Sequence, residues 1–178
     1  MEIREEVPAD HATVRRVHEA AFGDHGVKVA DLNEALRRMG GLSLVAEVDG
    51  AVVGHVMFST SLLDAPRKLV EVPVLSPIGV LPELHGNGIG SALIRRGLEI
   101  LDERGAPLVF LEGDPGFYSR AGFKTGGDLG FRKPSLRIPD GAFQVYPLAA
   151  YEDWMTGTLV YSPVFWEHDS VGLRDPQA

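Results

Sequence analysis

Three glycines at alternating positions, Gly86, Gly88 and Gly90, stand between an apolar run and a helix-forming run. The stretch reads Pro73-Val-Leu-Ser-Pro-Ile-Gly-Val-Leu-Pro-Glu-Leu-His-Gly-Asn-Gly-Ile-Gly-Ser-Ala-Leu-Ile94. A helix start leaves backbone N–H groups without intrahelical acceptors, and the aligned peptide dipoles add partial positive charge there. Glycines let a phosphate approach those amides with no Cβ in the way. This pattern points to a phosphorylated ligand held beside a strand end.

Several ligand chemistries compete for such a loop. A Walker A loop is excluded, because no Gly-Lys-Ser/Thr follows the glycines. A dinucleotide fingerprint is a rival. Gly86-Asn-Gly88 is followed by Ser91 where a third glycine or alanine belongs, and Glu112 lies about 20 residues on, near where the ribose-binding acid is expected. Against it, Leu81 to His85 separate the strand from the first glycine, and no series of βαβ units surrounds the loop. A turn of purely structural purpose, with Asn87-Gly88 at its tip, is the third reading.

The totals narrow the class. A chain of 178 residues with 44% hydrophobic residues is long enough for a sizeable core. No run of about 18 apolar residues suggests a transmembrane helix, and Met1-Glu-Ile-Arg-Glu-Glu6 has no apolar signal core. The absence of cysteine removes disulfides, thiolate metal sites and cysteine nucleophiles. These features lead to the expectation of a cytoplasmic protein with no membrane partner. The net charge of −8 argues against nucleic-acid binding, which needs basic surface. The six histidines, His11, His18, His25, His55, His85 and His168, show no tight ligand pair, so no metal site is expected. No Gly-x-Ser-x-Gly elbow suggests a serine hydrolase.

The elements that must carry the loop are legible from periodicity. Ile3 to Val7 reads as a first strand. Asp10 reads as a helix N-cap, with Val14, Val17, Ala21 and Phe22 at helical spacing. After a break from Gly23 to Gly26, Val29, Leu32, Leu36 and Met39 share one face of a second helix. Leu42 to Val48 and Val52 to Ser59 read as strands joined by Asp49-Gly50, a strong hairpin signal. Leu62 to Leu69 reads as a loop and Val70 to Val80 as a strand. A helix to about Arg104 follows the glycines and buries Ile89, Leu93, Gly97, Ile100 and Leu101. Leu108 to Leu111 is a short buried strand. Phe117 to Phe123 forms one or two helical turns ended by Gly122. Phe143 to Leu148 and Thr158 to Tyr161 are further strands, and His168 to Ala178 is a polar tail expected to fray. The order predicts a mixed α+β domain over residues 1–166, with a tail over 167–178.

Two segments together resemble a known family. Val80-Leu-Pro-Glu-Leu-His-Gly-Asn-Gly-Ile-Gly90 is similar to the pyrophosphate loop of the GNAT superfamily of acetyl-CoA-dependent N-acetyltransferases, Gln/Arg-x-x-Gly-x-Gly/Ala. Gly88 and Gly90 fill its glycine positions, and His85 stands where glutamine or arginine is usual. Gly113-Asp-Pro-Gly-Phe-Tyr-Ser-Arg-Ala-Gly-Phe123 resembles the family's Tyr-x-x-x-Gly-Phe segment. Gly54-His-Val-Met-Phe-Ser59, Phe143-Gln-Val-Tyr-Pro-Leu148 and Val160-Tyr-Ser-Pro-Val-Phe165 add a likeness to its YhbS-like branch. The resemblance spans roughly residues 2 to 166.

The resemblance implies a mostly antiparallel mixed sheet, splayed between strands four and five and flanked by helices. It implies acetyl-CoA as co-substrate. The pantetheine arm would pair with Ile78 and Val80, and the pyrophosphate would meet the amides of His85, Gly86, Asn87, Gly88, Ile89, Gly90 and Ser91. A primary amine, on a small molecule or a protein or peptide, would attack the thioester directly. Tyr118 matches the tyrosine that serves the leaving thiolate. Three groups compete for the base, since Ser76-Pro-Ile-Gly79 lacks the strand-four glutamate of many relatives. Glu112 ends an apolar strand, His55 has a suitable unperturbed pKa, and Glu71 could act through water. The acceptor loops would be 23–28, 62–68 and 126–141. The assembly would be a monomer or a homodimer. A non-catalytic acyl-CoA sensing module and a dinucleotide-binding protein are the alternatives.

Overall fold

The computed structural model describes residues 1–178. Its elements run β1 (Glu2–Glu5), α1 (His11–Ala21), α2 (Gly26–Arg38), β2 (Leu42–Val48), β3 (Ala51–Asp64), β4 (Leu69–Val80), α3 (Ile89–Glu103), β5 (Leu108–Glu112), α4 (Pro115–Tyr118), β6 (Lys124–Thr125), β7 (Phe131–Arg132), β8 (Phe143–Pro147), β9 (Gly157–Val160) and α5 (Pro163–Glu167). Two compact units divide the chain. The first is Met1–Ser59 with Leu75–Leu101, and the second is Thr60–Val74 with Asp102–Ala178.

In the first unit the strand order is β1-β2-β3-β4. The β2–β3 hairpin turns at Asp49 (φ 50°) and Gly50 (φ 80°), both left-handed, as a two-residue type I′ turn requires. Successive strand side chains alternate between faces. On β3, Gly54 and Phe58 therefore face α3, while His55 faces α1. Backbone and ring approach closely on both faces. A Cβ at Gly97 of α3 would lie 2.3 Å from the Phe58 ring, and one at Gly79 of β4 would lie 2.8 Å from His18 of α1. The core is Val14, Val17, Leu36, Leu44, Val56, Phe58, Leu93 and Ile94, all essentially inaccessible.

In the second unit the order is β4-β5-β8-β6, with β9 on the end of β3 and β7 on β9. Pairing is antiparallel except for β4–β5 and β7–β9. The parallel β4–β5 register has the single pair Val74–Phe110, whereas β5 pairs with β8 along its full length, from Leu108–Pro147 to Glu112–Phe143. Phe110 meets Phe131 edge-on at 5.0 Å and stacks on Phe143 at 5.8 Å between centroids. This is the α+β class with a mixed, mostly antiparallel sheet that the sequence suggested.

Three local expectations need correction. The loop expected over residues 62–69 is confined to residues 65–68, because β3 continues to Asp64 and pairs with β9 at Leu62, Leu63 and Asp64. Leu63 is fully buried there, so a tertiary partner extends the strand beyond its local pattern. Asp10 does not cap α1. Its carboxylate accepts from the Val7 N–H and from both terminal nitrogens of Arg4, closing the 3₁₀ turn before the helix. Met39 lies past the end of α2 and is 54% exposed.

The contact between α3 and β3 is testable. Gly97→Ala forces the buried Phe58 ring to shift, and overpacking of this kind costs about 1–3 kcal/mol. Urea unfolding should show a lower midpoint with an unchanged slope. An unmoved midpoint would mean that the ring yields freely.

Candidate functional site

The glycine loop begins where β4 ends. Val80 and Leu81 lead into one 3₁₀ turn, Pro82–Leu84, and α3 starts at Ile89. Gly86 (φ 81°) and Gly88 (φ 77°) are left-handed, a region that side chains other than glycine rarely occupy. A Cβ at either would meet no protein atom within 4 Å, so both glycines face open space. The loop braces itself from within. The His85 ring Nε2–H donates to the Val80 carbonyl at 2.7 Å, and Asn87 Nδ2 donates to the Leu84 carbonyl at 3.0 Å. The amides of Gly86, Asn87 and Gly88 donate to no protein acceptor. Those of Ile89, Gly90 and Ser91 are the first turn of α3 and have none within the helix. Six consecutive donors thus point out of a fixed loop, with the helix dipole behind them. The Ile89 side chain is buried, so only its backbone serves the loop.

His55 is not placed as an accessible base. It is fully buried and both ring nitrogens are engaged. Nε2 lies 2.8 Å from Ser43 Oγ, and Nδ1 lies 2.8 Å from His18 Nε2. Ser43 Oγ donates to Glu6 at 2.5 Å, and Arg37 donates to the same carboxylate at 2.6 and 3.1 Å. Burial pulls the pKa of both His18 and His55 down to about 3, so both rings are neutral near pH 7. The sequence reading missed this chain of Arg37, Glu6, Ser43, His55 and His18. Its members are up to 37 residues apart along successive hydrogen bonds, and no local spacing links them.

Tyr118 lies at the end of α4, half-buried. A Cβ at Gly113 would lie 2.5 Å from its ring, so the ring rests on that glycine, with Phe117 edge-on at 5.0 Å. Burial, reinforced by the nearby Asp114 charge, pushes its pKa up to about 12. The phenol therefore keeps its proton across the neutral range and remains a donor.

Glu112 accepts internal hydrogen bonds with both of its carboxylate oxygens. Its Oε1 accepts from the Tyr161 hydroxyl at 3.1 Å and its Oε2 from the Gly172 N–H at 3.0 Å. Arg137 completes the clasp by donating to the Val171 carbonyl and accepting, through its own carbonyl, from the Leu173 N–H. Val171 is only 1% exposed. The part of the tail expected to fray is thus held at residues 170–173. A charged residue ending an apolar strand here satisfies internal donors. Glu71, the third candidate, is exposed at the start of β4. No group of three or more His, Cys, Asp or Glu side chains is arranged to hold a metal ion. No helix is long and apolar enough to cross a membrane.

The Glu112 clasp has a pH signature. Burial raises its pKa above the unfolded value, against the pull of Gly172 and Tyr161. Its stabilising contribution is then fullest below the unfolded value of about 4.3 and is lost as pH rises through the folded value. The stability of the native chain relative to Glu112→Gln, which has no proton to lose, should fall across that window and then level off. In Glu112→Ala, the Gly172 amide should exchange faster with deuterium. A flat stability difference would remove the burial effect, and an unchanged exchange rate would remove the clasp.

Comparison with known proteins identifies the family. The model of the family described as "Acetyltransferase (GNAT) domain" matches residues 2–126. The uncharacterized N-acetyltransferase YjhQ of Escherichia coli is 35% identical over 161 residues, covering 88% of this chain and 83% of its own. The crystal structure of the N-acetyltransferase YhbS from Escherichia coli in complex with CoA superposes with a TM-score of 0.82 at 31% identity, over 92% of this chain and 91% of that one. A GNAT family acetyltransferase from Brucella melitensis in complex with acetyl-CoA gives a TM-score of 0.74 at 37% identity, over 92% and 97% of the two chains. With a family match over most of its length and relatives of this likeness over nearly all of it, the chain belongs to the GNAT acetyltransferase family.

Proposed function

We propose that this protein transfers the acetyl group of acetyl-CoA to a primary amine of a small molecule, protein or peptide by direct attack on the thioester. The observation that carries this reading is the row of amides without protein acceptors, Gly86 to Ser91, at the junction of β4 and α3. A pyrophosphate is the ligand such a row suits: it is doubly charged, planar groups are not required, and each oxygen accepts from more than one N–H. Relatives that cover nearly the whole chain hold CoA and acetyl-CoA. Ile78 and Val80, the last residues of β4, are then the backbone partners of the pantetheine arm, and the loop from His85 to Ser91 holds the phosphates.

Tyr118 is assigned to the leaving thiolate. Its phenol stays protonated near pH 7 and has no protein acceptor, so it is free to donate as charge builds on sulfur. The positions of His55 and Glu112 favour support of the fold over contact with the amine. A second reading, an acyl-CoA sensor without turnover, draws on the lack of a carboxylate over residues 76–79. Release of free CoA on mixing with acetyl-CoA and a panel of amines separates the two. No release with any amine, alongside tight acetyl-CoA binding, would favour the sensor.

Two substitutions test the assignments. Gly88→Val puts a branched Cβ at a left-handed position and into the space that the amides face. Charge-assisted hydrogen bonds contribute about 1.5–3 kcal/mol each, so losing two or more should weaken acetyl-CoA binding by two orders of magnitude or more. Calorimetry on a folded variant with native affinity would refute the loop. Tyr118→Phe keeps the ring and removes the donor. It should lower kcat by about 10²-fold or more while sparing acetyl-CoA affinity. Native turnover at all pH values would leave Tyr118 a packing residue.

A further inference from the structure

The glycine loop carries a side chain that can react with its own backbone. Asn87 is exposed and is followed by Gly88. In any asparagine the carboxamide carbon can close a five-membered ring with the next backbone nitrogen, and the Cβ of the next residue is what normally hinders it. Gly88 has no Cβ. Its amide donates to no protein acceptor, and a Cβ there would meet no atom within 4 Å, so the approach to it is open. Both bonds of the Asn87 carboxamide run from Nδ2, to the Leu84 carbonyl at 3.0 Å and the His85 carbonyl at 3.5 Å. Oδ1 accepts from no protein donor. Position adds an electrostatic contribution. Gly88 directly precedes Ile89, the first residue of α3, and the first amides of a helix have no acceptor within it. The partial positive charge at that end favours both the amide anion that attacks and the oxyanion that forms on the carboxamide carbon. The arrangement that attracts an anion thus also favours ring closure. The chain has one other asparagine, Asn33, which is buried in α2 and followed by Glu34.

We propose that Asn87 is a self-modification site, which converts the ligand-free loop to an anionic form, and that a bound pyrophosphate protects it. The protection rests on the acetyltransferase reading above, and the ring closure does not. The Gly88 nitrogen bonds to Asn87 Cγ, the Cγ–Nδ2 bond breaks, and the Gly88 amide proton leaves with Nδ2 as ammonia. One water then opens the succinimide. Opening at Cγ gives aspartate, and opening at the Asn87 backbone carbonyl gives isoaspartate, in which the chain runs through Cγ. Water is the one co-reactant. Either product places a carboxylate beside the amides of residues 88–91. It is an anion of the kind those amides suit, so it competes with the pyrophosphate from within the chain and repels it. Isoaspartate also lengthens the backbone by one atom and moves the amides on either side. A pyrophosphate on the Gly88 amide covers the nucleophile. Protein with acetyl-CoA bound therefore keeps its asparagine, and ligand-free protein loses it together with its affinity for the co-substrate.

The test holds the native protein at mildly alkaline pH, with and without acetyl-CoA, and digests samples with trypsin at intervals. Asn87 falls in the peptide 69–95 and Asn33 in the peptide 29–37, and each is the one carboxamide of its peptide. Asp49-Gly50 and Asp140-Gly141 can close the same ring but change no mass. The expected result is the amide-to-acid mass gain in 69–95, in two products that separate by chromatography, with 29–37 unchanged. Saturating acetyl-CoA should slow the gain by about tenfold or more, since the ligand-free fraction alone reacts. The converted protein should bind acetyl-CoA about tenfold or more less tightly by calorimetry, the equivalent of at least one charge-assisted hydrogen bond. Asn87→Asp leaves the backbone length unaltered and should show the loss with a native circular dichroism spectrum, which separates added charge from unfolding. An Asn87 as inert as Asn33 in the folded protein, while the urea-unfolded chain converts, overturns the proposal. So does native affinity in the converted protein or in Asn87→Asp. Conversion at an undiminished rate with acetyl-CoA bound overturns the protection. Failure of the unconverted protein to bind acetyl-CoA defeats the acetyltransferase reading instead, and leaves the modification site to be decided by mass.

Discussion

The first unit depends on how closely α1 and α3 approach opposite faces of β3 and β4. Side-chain volume at Gly54, Gly79 or Gly97 would push a helix off the sheet. A Cβ at Gly54 would already touch Ile89 and Leu93, two buried positions near the start of α3. That contact places the start of α3 beside the end of β4, joined by only eight residues. The loop between them has little freedom left. Its two left-handed glycines and its internal bonds from His85 and Asn87 then set which way the amides point. The direction of the loop amides is thus a consequence of helix–sheet packing distance more than of any charged side chain.

The same close approach explains why a polar chain survives in the core. A buried imidazole with an open nitrogen leaves an acceptor unsatisfied, which typically costs about 1–3 kcal/mol. An apolar side chain at His18 and His55 would avoid that cost. Donation in this chain converges on Glu6: Arg37 donates from one side, and Ser43, His55 and His18 donate in series from the other, each step fixing the next. Half-satisfied buried networks are ordinarily worse than apolar packing.

Much of the fold and the open glycine loop was legible because both rest on local signals. Asp49-Gly50 announces its hairpin, the helical periodicity from Ile89 to Leu101 announces α3, and the alternating glycines announce exposed amides. What failed was non-local. Leu62 to Asp64 carry no strand signal strong enough to override Pro66 nearby, and only pairing with β9 extends β3 through them. The tail looks polar, yet Val171 and the backbone of Gly172 dock because Glu112, 60 residues earlier, supplies an acceptor. Asp10 has the right type for a cap, but Arg4 and the Val7 amide compete for its carboxylate and win.

The acid–base candidates His55 and Glu112 share one feature. Residue type and strand position say that a group is ionisable and where its backbone lies. They do not say which donors and acceptors the rest of the chain brings to it. Glu112 meets two donors from the C-terminal part of the chain, and so its charge is used internally. His55 meets Ser43 on one side and His18 on the other, and so its basicity is passed along. In both cases a partner that fixes the group's setting lies far away in sequence. For His55 that partner is His18, whose free nitrogen sits on β4. The tautomer of a buried histidine is therefore set by its whole network, which in this protein runs from the Glu6 carboxylate to α1.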